Sequence, residues 1–287
     1  MKIRAKYIFA LVMTAVMLTG CGTAVDSDKD SIIPSIDKVS GEEAVVVTNK
    51  ADASPDQTEG VAAANEEMGV ITAAVTETPA FYDENGVKEE FDFTPEYDEE
   101  FFEGDLFIGD SITTGFSGYG ILPEESVFAK IGLNPLTALD TAVTTADGDI
   151  LLADKAAAVA PKRAYIMLGS NGVEWLACSN MLEGIEEIIK EISRCSPETQ
   201  IVCLSVPPVT KEYDDSNEEL EVMEKIHEYN SRLSEMCGDM GVHYIDITTV
   251  LEDNEGYFVH YYAEPDGVHF KPTAYKLLLS KIQYTLS

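Results

Sequence analysis

Three residue types in this chain could together activate a hydroxyl: a serine, a histidine and an aspartate. Ser111 stands in "DLFIGDSITTG", where the apolar run Leu106–Ile108 stops and a helix-compatible segment begins. Two readings fit that position. The serine or the neighbouring aspartate caps a helix, because their oxygens accept from free backbone N–H groups. Alternatively, the serine is a nucleophile at the carboxyl end of a strand, where α/β folds place ligands. Far along the chain, Asp266 and His269 stand three apart in "PDGVHF", just ahead of the last helical pattern. A serine hydroxyl needs a base to take its proton, and the imidazole needs a carboxylate to fix its tautomer. A tetrahedral oxyanion needs fixed donors, and losing one costs about 3–4 kcal/mol of barrier. The N–H groups of Ser111 and Gly132 and the side-chain amide of Asn171 are of the right type.

These residues can meet only if the fold gathers them. Strand candidates are Leu106–Ile108, Val127–Ile131, Ala164–Leu168, Ile201–Val206 and His243–Ile247. Helical spacing of apolar residues predicts helices over Pro135–Thr141, Ile150–Ala160, Asn180–Arg194, Asn217–Cys237 and Pro272–Leu286. Alternating strands and helices predict a parallel sheet with helices on both faces. Runs such as "IVCLSV" suit strands buried on both sides. In such a sheet the segments after successive strands share one edge. Gly109-Asp110-Ser111, Gly132, Gly169-Ser170-Asn171-Gly172 and Asp266-Gly267-Val268-His269 would then converge.

In order and spacing, "GDSI", the glycine of "KIGLN", "GSNG" and "DGVH" resemble the four blocks of the SGNH (GDSL-type) hydrolase superfamily. The resemblance implies a three-layer α/β/α, flavodoxin-like fold with a five-stranded parallel sheet. It also implies ester hydrolysis through an acyl-enzyme, with no cofactor. Ser111 matches the nucleophile, His269 the base and Asp266 its partner. Ser111, Gly132 and Asn171 match the oxyanion hole. One block departs from the family pattern: Gly172 stands where an aspartate is usual.

Asp110, Trp175 and Tyr262 are further candidates for contact with substrate. Phe116 and Tyr119, just after the serine, are candidates for an opposite wall. His260 is the rival base, lacking the aspartate that accompanies His269. No Cys/His spacing suggests a metal site. Cys178, Cys195, Cys203 and Cys237 read as free buried thiols, since a large core needs no staple.

The amino-terminal stretch "MKIRAKYIFALVMTAVMLTGC" has three cations, a short apolar run and Leu18-Thr19-Gly20-Cys21. The tetrapeptide resembles a bacterial lipobox. That implies a signal peptide over 1–20, lipid on Cys21 and an extracytoplasmic protein held to the cell membrane by its anchor alone. Residues 21–95 are small, polar and acidic, and read as a linker; 96–287 form one domain. The 52 acidic and 19 basic residues leave a net charge of −33, which argues against a nucleic-acid partner. The expectation is a serine esterase acting on short-chain, chiefly acetyl, esters of carbohydrate. The alternatives are a lysophospholipase or lipase, and a ligand-binding lipoprotein without turnover.

Overall fold

The structure is a computed structural model that describes residues 86–88 and 91–287. The expected signal peptide, Cys21 and nearly all of the expected linker lie outside the described residues. Five strands form one sheet: β1 Leu106–Gly109, β2 Val127–Ala129, β5 Arg163–Met167, β6 Gln200–Leu204 and β7 His243–Ile245. Their order is β2-β1-β5-β6-β7, and every pair is parallel. Parallel neighbours require a crossover segment, and helices supply it. These are α1 Ser111–Gly118, α2 Leu152–Val159, α3 Cys178–Cys195, α4 Lys211–Ser216, α5 Val222–Met240, α6 Thr248–Leu251 and α7 Pro272–Leu286.

The strand period of two divides the core into two layers. Leu106, Ile108, Ile166 and Cys203 point to one face, where α3 and α5 bury Ile185, Ile188, Ile192, Ile226 and Leu233. Phe107, Tyr165, Val202 and Leu204 point to the other, against Phe116 of α1 and Leu278 and Ile282 of α7. The central strands β1 and β5 are therefore buried on both sides, which is why they show no polar alternation. The result is a three-layer α/β/α fold. Among the described residues, no helix is long and apolar enough to cross a membrane.

Three local features differ from the sequence reading. The run Pro135–Thr141 is a series of turns and not a helix. Thr137 and Ala138 both donate to the Asn134 carbonyl, and the Asn134 side chain takes the Leu136 N–H at 3.0 Å. Acceptors shared in this way close turns and leave no ladder along which a helix could propagate. The helix expected over Asn217–Cys237 is present as α5, Val222–Met240, but begins later than periodicity suggests. The six-residue α4 comes first and is capped by Thr210; a 3-10 turn and Glu221 at φ +51° follow, and α5 then begins at Val222. Asp214, Asp215, Glu218, Glu221 and Glu224 crowd around one cavity there. Like charges at helical spacing repel, so a continuous helix is disfavoured. Lastly, a small antiparallel hairpin, β3 Val143–Thr145 with β4 Gly148–Ile150, was not anticipated; three-residue strands carry too little pattern to be seen.

Candidate active site

β1 delivers Ser111, and the turn that presents it has almost no spare room. A Cβ on Gly109 would stand 1.9 Å from Thr113 Oγ1 and 2.6 Å from the Met167 carbonyl, so only glycine fits. The helix cap is then Asp110 and not Ser111: Asp110 Oδ1 accepts the Ile112 N–H at 3.0 Å. With capping done by its neighbour, the Ser111 hydroxyl is left to another partner. That partner is His269, whose Nε2 lies 2.9 Å from Ser111 Oγ. On the far side of the ring, His269 Nδ1 lies 2.6 Å from Asp266 Oδ2. Because a carboxylate only accepts, Nδ1 carries the hydrogen and Nε2 is free to receive the serine proton.

Asp266 and His269 sit in a tight loop ahead of α7, not at its first turn. Asp266 Oδ1 accepts the N–H groups of Val268 and His269 at 3.0 and 2.9 Å. Burial pushes the Asp266 carboxyl up, but those two N–H groups and the His269 ring outweigh it and hold it below its ordinary value. It stays charged opposite the ring. An antiparallel bridge, Ala263 with Phe270, closes the loop. Gly267, at φ +79°, fits against Thr210, whose N–H donates to the Gly267 carbonyl at 2.9 Å.

The remaining candidates come from the neighbouring strand ends. Lys130, just beyond β2, donates its N–H to the Gly109 carbonyl at 3.3 Å, which brings the Gly132 turn alongside β1. Gly132 is exposed with φ +80°, and nothing lies within 4 Å of a Cβ built there. Its glycine answers a backbone conformation and not a crowded space. Asn171, in the turn after β5, donates from Nδ2 to the Leu133 carbonyl at 3.3 Å, so the two loops are tied together. An amide has two such hydrogens, and the second remains for another acceptor. At Gly172, a Cβ would stand 2.4 Å from Met181 Sδ. Met181 of α3 thus occupies the space that a side chain would need at this departure from the family pattern.

Several candidates are placed otherwise than expected. Asp110 is 1% exposed, so it cannot present its carboxyl to a substrate in the open cleft. Burial pushes that carboxyl up to about 6, against the pull of the Ile112 N–H, the His269 ring and the Asn171 amide. Tyr262 is buried within the α7-side core, as are Phe116 and Phe258; none of these is a cleft wall. Trp175 is 72% exposed, and Tyr119 and Tyr261 are also open to solvent. His260, the rival base, pairs at 2.8 Å with Glu212 of α4. Cys203 and Cys237 are buried, whereas Cys178 and Cys195 are half-buried. Among the described residues, no three His, Cys, Asp or Glu side chains cluster as metal ligands.

Two participants left no trace in the sequence. The Leu133 carbonyl that holds Asn171 is a backbone atom, invisible to residue type. Tyr275 of α7 donates its hydroxyl to the Ile112 carbonyl at 2.6 Å and packs its ring where Gly115 leaves space. It supports the helix that carries Ser111, yet on its own helix it reads as one more apolar residue.

Comparison with known proteins bears on this arrangement. A Streptococcus pneumonia protein proposed to be a platelet activating factor superposes with a TM-score of 0.50 at 22% identity, over 64% of this chain and 84% of that one. An acylhydrolase proposed for Bacteroides fragilis gives 0.49 at 15% identity, over 63% and 85%. A GDSL-like lipase from Bacteroides thetaiotaomicron gives 0.48 at 16%, over 63% and 86%. At 22% identity, the first of these speaks to the fold alone. No curated protein matches the chain. Residues 107–277, however, match the model of the GDSL-like Lipase/Acylhydrolase family, a span that runs from β1 into α7 and takes in Ser111, Asn171 and His269. The chain therefore belongs to the GDSL-like lipase/acylhydrolase family, within the SGNH superfamily, and is a carboxylic ester hydrolase of the GDSL type.

Proposed function

We propose that the protein removes short acyl groups, chiefly acetyl, from carbohydrate through an acyl-enzyme on Ser111. The observation that carries this reading is the unbroken relay Asp266–His269–Ser111, with contacts of 2.6 and 2.9 Å. As Ser111 Oγ attacks the ester carbonyl, His269 Nε2 takes its proton, and Asp266 stabilises the imidazolium that forms. The oxyanion meets the first N–H of α1, the Gly132 N–H and the Asn171 amide. His269 then gives the proton to the leaving alcohol. A water, activated by the same nitrogen, cleaves the acyl-enzyme.

The substrate class rests on the rim. Trp175 is 72% exposed in the Asn171 turn, and Tyr261 is 52% exposed at the approach to the Asp266 loop. Exposed aromatic faces stack well on sugar rings, being apolar in body and tolerant of a polar edge. A net charge of −33 disfavours anionic substrates. A second reading, a longer-chain acyl hydrolase, is favoured by Ile131 and Leu136, which are 75% and 44% exposed beside Gly132.

A series of 4-nitrophenyl esters from acetate to palmitate separates the two, together with acetate release from a panel of acetylated glycans. Falling kcat/KM with chain length and glycan deacetylation support the first reading; a preference for long chains replaces it with the second. Export belongs to the same proposal. Cleavage before Cys21 and lipid attachment there would hold the enzyme at the outer face of the cell membrane. A Cys21→Ala variant that still partitions with membranes and carries the same mass shift would end that part of it.

A further inference from the structure

Asp110 uses only half of its carboxyl. Oδ1 caps α1 through the Ile112 N–H, whereas Oδ2 has no hydrogen-bond partner although the residue is 1% exposed. A buried acceptor left alone is costly, and proteins rarely keep one without a use. Ser111 follows immediately, so whatever Asp110 holds is held at a fixed distance from the nucleophile. Three groups from other elements face the carboxyl: the Asn171 amide from the turn after β5, the His269 ring from the loop before α7, and the Tyr275 hydroxyl from α7. β1 and α1 themselves contribute no further charge.

The Asn171 amide has more claims on it than hydrogens. One hydrogen goes to Leu133, at 3.3 Å, which is longer than the usual 2.9–3.0 Å for this bond type. The oxyanion needs one hydrogen as well, and the buried Asp110 oxygen offers an acceptor for another. We propose that Asp110 is a positioning residue of the oxyanion hole: its second oxygen takes one N–H of Asn171 while the other turns from the Leu133 carbonyl to the oxyanion. A single rigid carboxyl then sets both the nucleophile's helix turn and the amide donor. This inference rests on the hydrolytic role of Ser111 given above.

The ionised carboxyl does this work. Once protonated, its O–H is a donor and competes with the amide's own hydrogens. Burial raises Asp110 to about 6, with the Ile112 N–H, the His269 ring and the Asn171 amide pulling the other way. Loss of activity on acidification therefore includes the uptake of a proton by Asp110.

The test is the pH dependence of kcat and KM for 4-nitrophenyl acetate, from about pH 5 to 9. It compares the wild type, Ser111→Ala, Asp110→Asn, Asn171→Ala and the double variant Asp110→Asn/Asn171→Ala. Asparagine caps helices as well as aspartate does, so Asp110→Asn keeps the Ile112 bond and changes only the second oxygen. Three results are expected. Asp110→Asn lowers kcat about 10- to 100-fold with KM nearly unchanged. The part of the acidic fall in log kcat/KM that centres near pH 6 is lost in Asp110→Asn. The double variant is no worse than about threefold below Asn171→Ala, because both act through one donor. An acidic limb identical in the wild type and Asp110→Asn overturns the inference. So does an Asp110→Asn enzyme with wild-type kcat, or losses that multiply in the double variant. If the wild type shows no hydrolysis that Ser111→Ala removes, the hydrolytic reading falls and takes this one with it. If that hydrolysis is present and the Asp110 results are null, only the role of Asp110 falls.

Discussion

His269 Nε2 reaches the Ser111 hydroxyl at 2.9 Å although 158 positions separate the two residues in the chain. The distance is that of a formed hydrogen bond, so the base stands ready before any substrate arrives. Ser111→Ala and His269→Ala should each lower kcat by about 10³-fold or more, and the double variant should lose little beyond either one alone, because the pair acts as a unit. Asp266→Asn should keep the fold yet lower kcat by about 10⁴-fold, since the amide no longer fixes the tautomer. Steady-state kinetics on a soluble acetyl ester checks all of these. A fluorophosphonate should label the wild type and fail on Ser111→Ala.

Asn171 and Gly172 separate chemistry from packing within one turn. Asn171→Ala removes a donor and should cost about 10²- to 10³-fold in kcat with little change in melting temperature. Gly172→Asp, which restores the usual family residue, should behave the other way. Its Cβ would press on Met181 Sδ at 2.4 Å, and the overpacking should cost about 1–3 kcal/mol of stability. Pairing it with Met181→Ala should recover part of that loss. Melting curves and kinetics together check both.

Arg163 and Asp105 form a buried ion pair at the opposite end of the sheet. Arg163 Nη2 lies 2.8 Å from Asp105 Oδ2, with side-chain exposures of 5% and 0%. Nη2 also donates to the Phe101 carbonyl, and the guanidinium lies 3.9 Å from the Phe101 ring centre. Tyr165 donates its hydroxyl to the same carboxylate at 3.1 Å. Arg163→Leu would leave Asp105 charged, buried and short of a partner. It should cost about 3–5 kcal/mol in denaturant unfolding, whereas kcat of the folded fraction should stay near wild type.

Two carboxyls, one buried and one half-buried, make stability rise as pH falls. Burial raises Asp110 to about 6; burial and the charges of Asp246 and Asp253 raise Glu252 to about 7. A carboxyl raised on folding binds its proton more tightly in the native state. Its contribution is then fully present below the unfolded value, near 4, and is lost as pH climbs through the native one. Asp266, held low, acts oppositely, but only as pH drops below the ordinary carboxylate range. The melting temperature should therefore rise between about pH 8 and pH 5. Asp110→Asn and Glu252→Gln should each flatten that rise, and an unchanged slope in both would refute the assignment.

Much of this protein could be read in its residues. The five strands of the sheet were legible because each is a short apolar run between turn signals. The site was legible because the residues at the strand ends are of types that apolar cores exclude. Ser111, Asn171, Asp266 and His269 stood out in this way, and Gly132 as a turn residue after a strand. Less legible were elements whose form depends on their surroundings, such as the run Pro135–Thr141, where shared acceptors close turns, and the acidic segment before α5, where repulsion delays the start of a helix that periodicity alone would begin at Asn217.

What the sequence determined by itself is the order of the elements and the identity of the reacting groups, since both follow from local pattern and side-chain chemistry. What only the tertiary structure decided is who satisfies whom. Asp110 takes the cap and thereby frees Ser111, Met181 fills the space beside Gly172, Tyr275 steadies the first turn of α1, and Tyr262 is drawn inward while Trp175 stays outside. Those assignments depend on the close approach of groups far apart in the chain, where a buried polar atom must find a partner and a crowded volume admits one side chain only.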